Sequence, residues 1–178
     1  MIIIREIREQ DAPGFYAVLD AVCRERRYLA QLEAPGPERV QAFVSANVKA
    51  GHPQWVAEED GRIVGWCDAI PGDALSGARH VGRLGMGVRK DYRGRKIGRQ
   101  LIEGTIKQAA RLGLERIELS VHASNTPAIA LYRSVGFTEE GRKKRGWLVD
   151  GIYDDIILMA HELKMPSQLP QPTRRTGG

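Results

Sequence analysis

At 178 residues the chain is long enough to enclose one hydrophobic core and too short for two substantial ones. A hydrophobic share of 42% with 3 Trp, 3 Phe and 5 Tyr excludes general disorder, since disordered chains lack the apolar surface that offsets ordering entropy. Lys and Arg total 27 against 22 Asp and Glu, and the resulting +5 favours anionic partners such as phosphorylated cofactors or nucleic acid without choosing between them.

Ile2, Ile4 and Ile7 alternate with charged residues and predict a first strand. Arg5, Glu6 and Arg8 cut the apolar opening, which leaves no signal-peptide core and no stretch near the ~18 apolar residues of a membrane helix, so a cytoplasmic chain without a membrane partner is expected. Asp11 is an N-cap candidate, with Pro13 in the first turn of a helix carrying Phe15, Val18, Leu19 and Val22. Val40, Phe43, Val44 and Val48 predict a second helix after Pro35-Gly36-Pro37. Residues 55–58 and 63–67 flank Asp60-Gly61 and predict a hairpin. Cys23 and Cys67 have no Cys-x-x-Cys frame, so neither a disulfide scaffold nor a metal site is indicated, and the metal-ligand assignment is none.

After a loop over 71–77, the stretch from His80 to Val88 reads as a strand bulged by its three glycines. Leu101, Ile102, Thr105, Ile106 and Ala109 mark an amphipathic helix stopping at Gly113, and Ile117, Leu119 and Val121 alternate as a strand. Strand, helix and strand in this order predict a right-handed parallel crossover. A short helix follows over 127–134. Two runs, 142–149 and 153–163, then flank Asp150-Gly151 as a closing hairpin. The domain is placed at 1–165, and the Pro-, Gln-, Arg- and Gly-containing residues 166–178 are expected to form a flexible tail.

The densest chemical signal is Arg93-Gly94-Arg95-Lys96-Ile97-Gly98, between a strand and a helix start. Amides at a helix start have no internal acceptors and carry the positive end of the helix dipole, so a glycine-bearing turn there suits phosphate. Arg93, Arg95 and Arg99 add charge, and Gly94 and Gly98 let a ligand approach the main chain. A Walker A run is absent, and Gly85-Met86-Gly87 lacks the third glycine of a dinucleotide fingerprint. Residues 89–99 are basic, yet only Tyr92 is interleaved with them, which argues against a nucleic-acid module.

Here the chain resembles the GNAT superfamily of N-acetyltransferases. Residues 93–98 follow its Gln/Arg-x-x-Gly-x-Gly/Ala pyrophosphate loop, Leu84-Gly85-Met86-Gly87-Val88 its bulged central strand, and 125–132 with Val135-Gly136-Phe137 its second cofactor segment. The resemblance implies an α/β (α+β) fold: a mixed, mostly antiparallel twisted sheet with a central splayed parallel strand pair and helices on both faces. It also implies acetyl-CoA as co-substrate, contacted by Met86, Gly87, Val88, Arg93, Gly94, Arg95, Lys96, Ile97, Gly98, Arg99, Asn125, Ala128 and Tyr132. Lys96 stands where the family usually has glycine; a positive φ there would strain it by about 1 kcal/mol or more.

Acetyl transfer to an amine needs a base for the ammonium, a polarised carbonyl and a proton for the departing thiolate. The family resemblance assigns the carbonyl to a main-chain N–H at or beside Val88 and the thiolate to Tyr132. The strand 80–88 holds no Asp or Glu; the resemblance points to the loop between the first two helices, where the family usually builds its acceptor site, and Glu33 there is the leading candidate to bind or deprotonate the amine, with His80 and His122 as alternatives through water. Asn125 reads both as a helix N-cap and as a cofactor contact. The closing hairpin resembles the branch of ribosomal-protein N-terminal, spermidine and small amino-acid or antibiotic acetyltransferases. A small primary amine such as an amino acid is the expected partner; a protein N-terminus, a polyamine, a non-catalytic acyl-CoA sensor and a homodimer stay open.

Overall fold

A computed structural model describes residues 1–73 and 75–163; the expected tail, 166–178, lies outside the described residues. The chain runs β1 (Ile2–Glu6), α1 (Ala12–Cys23), α2 (Pro37–Ala50), β2 (Gln54–Glu59), β3 (Arg62–Pro71), β4 (Val81–Val88), α3 (Ile97–Arg111), β5 (Arg116–His122), α4 (Thr126–Ser134), β6 (Thr138–Val149) and β7 (Ile152–Glu162). The strands form one sheet in the order β1-β2-β3-β4-β5-β7-β6, antiparallel except for the β4–β5 pair.

That parallel pair is short. Val81, Gly82 and Arg83 face Arg116, Ile117 and Glu118, and beyond them the two strands part. Residues 84–88 stay paired with β3, and 119–122 with β7, so the sheet opens as a V toward the C-terminal ends of β4 and β5. Open sheets receive ligands at such a place.

Period-2 alternation gives the sheet two apolar faces. Ile97, Leu101, Ile102 and Ala109 of α3 pack on Cys67, Ile117, Leu119 and Met159, with Ile129, Tyr132 and Phe137 closing the same face. On the other face Phe15, Val18 and Val22 of α1 and Val40 and Val44 of α2 cover Val56 and Trp66. The mostly antiparallel sheet, the splayed parallel pair and the helices on both faces are those implied by the family resemblance.

The segment 24–36 ties the two arms of the V together. Arg93, following β4, donates to both Glu25 oxygens at 2.8 and 2.5 Å, and its guanidinium lies 4.7 Å from the Tyr28 ring centroid. On the β5 side, Nδ1 of His122 donates to the Arg27 carbonyl at 2.9 Å, and Arg26 forks onto Asp150 of the closing hairpin at 3.0 and 2.7 Å.

Two local expectations change. Asp11 occupies the N-cap position of α1 but its carboxylate does not cap that helix: it accepts from Arg5 at 2.6 and 2.8 Å and from the Arg8 N–H at 2.7 Å. The last hairpin begins at Thr138 rather than 142, because register shifts at Glu139/Gly141 and Lys143/Trp147 break the alternation along β6.

Candidate active site

The turn into α3 has the geometry of an anion cradle. Gly94 has φ +77°, Lys96 is left-handed at φ 61° and ψ 10°, and no side chain caps the helix. The first turn of α3 therefore offers main-chain amides beside its positive end. Lys96 thus adopts the conformation that favours glycine. Gly98 keeps the approach narrow: a Cβ there would lie 3.2 Å from Leu131 and 3.4 Å from Met86, so α3, α4 and β4 meet closely.

The three arginines divide. Arg93 is committed to Glu25, and its Nε donates to the Val88 carbonyl at 2.9 Å, which leaves its main chain for a ligand. Arg95 reaches Glu59 at 3.1 Å, and Arg99 reaches Ser134 at 3.2 Å and Glu103 at 2.9 Å. These last two are roughly half exposed, so such pairs are worth only ~0–1 kcal/mol and cost little to give up.

Across the gap, the Asn125 side chain accepts from the Ala128 N–H at 3.3 Å and caps α4, as its place before Thr126-Pro127 predicts. Tyr132, in the last turn of α4, is 7% exposed, with its ring 5.8 Å from that of Phe137. Burial pushes its phenol well above the ordinary range, so it stays protonated and neutral.

On the opposite face of the sheet a pocket of about 380 Å³ opens between α1, α2 and the strands. Phe15, Leu19, Leu29, Phe43 and Trp66 make it apolar, and Gln31, Arg39 and Asp68 are its polar groups. The Trp66 ring lies against Gly87, where a Cβ would come within 2.4 Å of the indole. Asp68 was not anticipated. It lies on β3 with Gly85 opposite on β4, is 7% exposed, and accepts a hydrogen bond from the Gly85 N–H. Burial nevertheless pushes its carboxyl up to about 7.

The expected bases sit elsewhere. Glu33 is exposed on the 24–36 segment and does not line the pocket, although Leu29, Gln31 and Pro35 of that segment do. His80 is exposed in the turn before β4, and His122, bonded to Arg27, lies 4.2 Å from the Trp147 ring. Among the described residues, no group of three or more His, Cys, Asp or Glu is placed to hold a metal ion, and no helix is long and apolar enough to cross a membrane.

The chain belongs to the Acetyltransferase (GNAT) family, which it matches over residues 11–137 and whose members use acetyl-CoA as the acetyl donor. It is 27% identical over 169 residues to an L-methionine sulfoximine/L-methionine sulfone acetyltransferase of Pseudomonas paraeruginosa, covering 94% of this chain and 98% of that protein. It is 29% identical over 155 residues to the L-amino acid N-acetyltransferase AaaT of Escherichia coli, covering 86% and 95%. A phosphinothricin acetyltransferase of Sinorhizobium meliloti, solved in complex with acetyl-CoA, has the same fold at a TM-score of 0.85 and 19% identity, covering 98% of this chain and 94% of that one.

Proposed function

We propose that the chain transfers the acetyl group of acetyl-CoA to the α-amine of a small amino acid, directly within a ternary complex. The observation that carries this reading is the two-sided V: an anion cradle on one face of the gap and a small apolar pocket with separate cationic and anionic groups on the other. The pocket's 380 Å³ accommodates one amino acid, and its lining offers the single carboxylate of Asp68 where a polyamine would call for several. Arg39 offers a partner for an α-carboxylate, and the aromatic and aliphatic walls offer one for an uncharged side chain. The full-length relatives that act on amino acids support the same acceptor class.

The residues present fit the donor. Bound acetyl-CoA supplies a thioester carbonyl and a thiolate leaving group. The main-chain amides of Gly94 to Arg99 would hold its diphosphate, with Arg95, Lys96 and Arg99 neutralising charge around it. Met86, Gly87 and Val88, unpaired with β5, would lie along the pantetheine arm, and the N–H at or beside Val88 would polarise the carbonyl. Asn125 and Ala128 would flank the arm from α4, while Ile97 anchors the cradle by its burial. Tyr132 would return a proton to sulfur. Glu33, exposed on the segment that walls the pocket, would attract an ammonium toward its mouth.

Release of CoA thiol, measured with each of the common amino acids, spermidine and an alanine-starting peptide, tests the proposal. Transfer to one or more small amino acids is expected. Transfer confined to the peptide or the polyamine, or no transfer at all, would overturn it.

A further inference from the structure

Resting on the amino-acid reading above, we infer that Asp68 receives the acceptor's ammonium group inside the pocket and takes its proton. The strand register sets a row across one face of the sheet, with Gln54 of β2, Asp68 of β3 and Gly85 of β4 directly opposite one another. Glycine at 85 keeps that face open: a Cβ there would lie 3.1 Å from Asp68 Oδ1, closer than ordinary contact. The carboxylate thus borders the pocket floor beside β4, the strand that carries Met86 to Val88.

A second group points the same way. Gln54 is 1% exposed, and neither its amide nitrogen nor its amide oxygen has a hydrogen-bond partner among the described residues. A buried unpaired amide costs about 1–3 kcal/mol, so Gln54, which does not itself line the pocket, makes the sheet face behind Asp68 polar rather than apolar. The elements around Asp68 leave its charge nearly unopposed: α1 contributes Phe15, the 24–36 segment Gln31, α2 Arg39, and β4 Gly85. Of the lining residues, Arg39 alone bears another charge. Cys67, next in sequence, belongs to the opposite face.

The step balances. One ammonium proton passes to Asp68 and thence to solvent. The amine lone pair forms the C–N bond as the thioester C–S bond breaks, and sulfur leaves as CoA thiol with a proton from Tyr132, which the second nitrogen proton restores. The carboxyl, at about 7, is matched to this exchange near neutrality.

The test is the pH profile of kcat/KM for the best amino acid at saturating acetyl-CoA, in wild type and Asp68→Asn. Wild type should rise through a limb near pH 7. The variant should lose about 100-fold or more at pH 7, with its limb displaced toward the acceptor's own ammonium, at about 9–10. Its thermal shift with acetyl-CoA should match that of wild type, which separates lost chemistry from lost folding. A variant within about threefold of wild type on the same limb would overturn the role of Asp68 and leave the amino-acid reading standing. A wild type with no limb between pH 6 and 8 would overturn it even if the variant did not fold. A wild type that acetylates no amino acid would overturn both.

Discussion

Lys96 is held at φ 61° in a turn whose geometry suits glycine, and Lys96→Gly separates the two contributions of that lysine. A left-handed L residue costs roughly 1–2 kcal/mol, while glycine loses about 0.5–1 kcal/mol more backbone entropy on folding than alanine does. The difference predicts a net stabilisation of about 0.5–1 kcal/mol, or about 1–4 °C in Tm for a chain of this size. The exposed Lys96 ammonium would also contribute to phosphate binding, but at the ~0–1 kcal/mol of a surface pair, so acetyl-CoA affinity should fall no more than about fivefold. Lys96→Ala provides the control, since it keeps the strain and loses the charge. Urea unfolding and calorimetric titration with acetyl-CoA should show the glycine variant more stable than the alanine variant, with similar affinities in both. A glycine variant no more stable than the alanine variant, or one that binds more than about tenfold weaker than wild type, would refute the reasoning.

Tyr132→Phe should lower kcat by about 10- to 1,000-fold while the calorimetric Kd for acetyl-CoA stays within about twofold; unchanged turnover would remove Tyr132 from the chemistry. Gly87→Ala places a methyl 2.4 Å from the Trp66 ring and should destabilise the fold by about 1–3 kcal/mol in urea, with loss of acceptor binding as the indole shifts. Asp68 also predicts a stability profile. Its folded-state value is raised, so between about pH 4 and 7 the native state holds a proton that the unfolded chain has released, and stability falls as pH rises through that window. Relative to Asp68→Asn, unfolding at a series of pH values should show a decline of at most about 4 kcal/mol from pH 4 to 7, and a rise instead would contradict the assignment.

Local patterning carried most of the architecture. Alternation located the strands, the Asp-Gly pairs at 60–61 and 150–151 located the hairpins, and Gly113, at φ +85°, ends α3 where the periodicity stopped. The turn proposed to hold phosphate was legible because its glycines and cations are contiguous. Long-range pairing was not: Arg93 finds Glu25 across 68 positions, so counting its charge toward phosphate overlooked a partner that only the fold supplies. Asp68 escaped for a related reason. The strand 80–88 holds no acid, and the expected bases, Glu33, His80 and His122, lie in a loop, a turn and β5, whereas Asp68 lies on the strand beside β4, inside the apolar run 63–70. The available signal was a single acid in a buried strand, spaced two residues from Trp66 and so on the same face.

The direct test of the account is a titration of the amide-labelled protein with CoA, followed by nuclear magnetic resonance. The account predicts the largest amide shifts at Gly94 to Arg99, with a second set at Asn125 to Ala128 and at Gly87 and Val88. Shifts concentrated elsewhere, with the α3 turn unmoved at millimolar CoA, would contradict it.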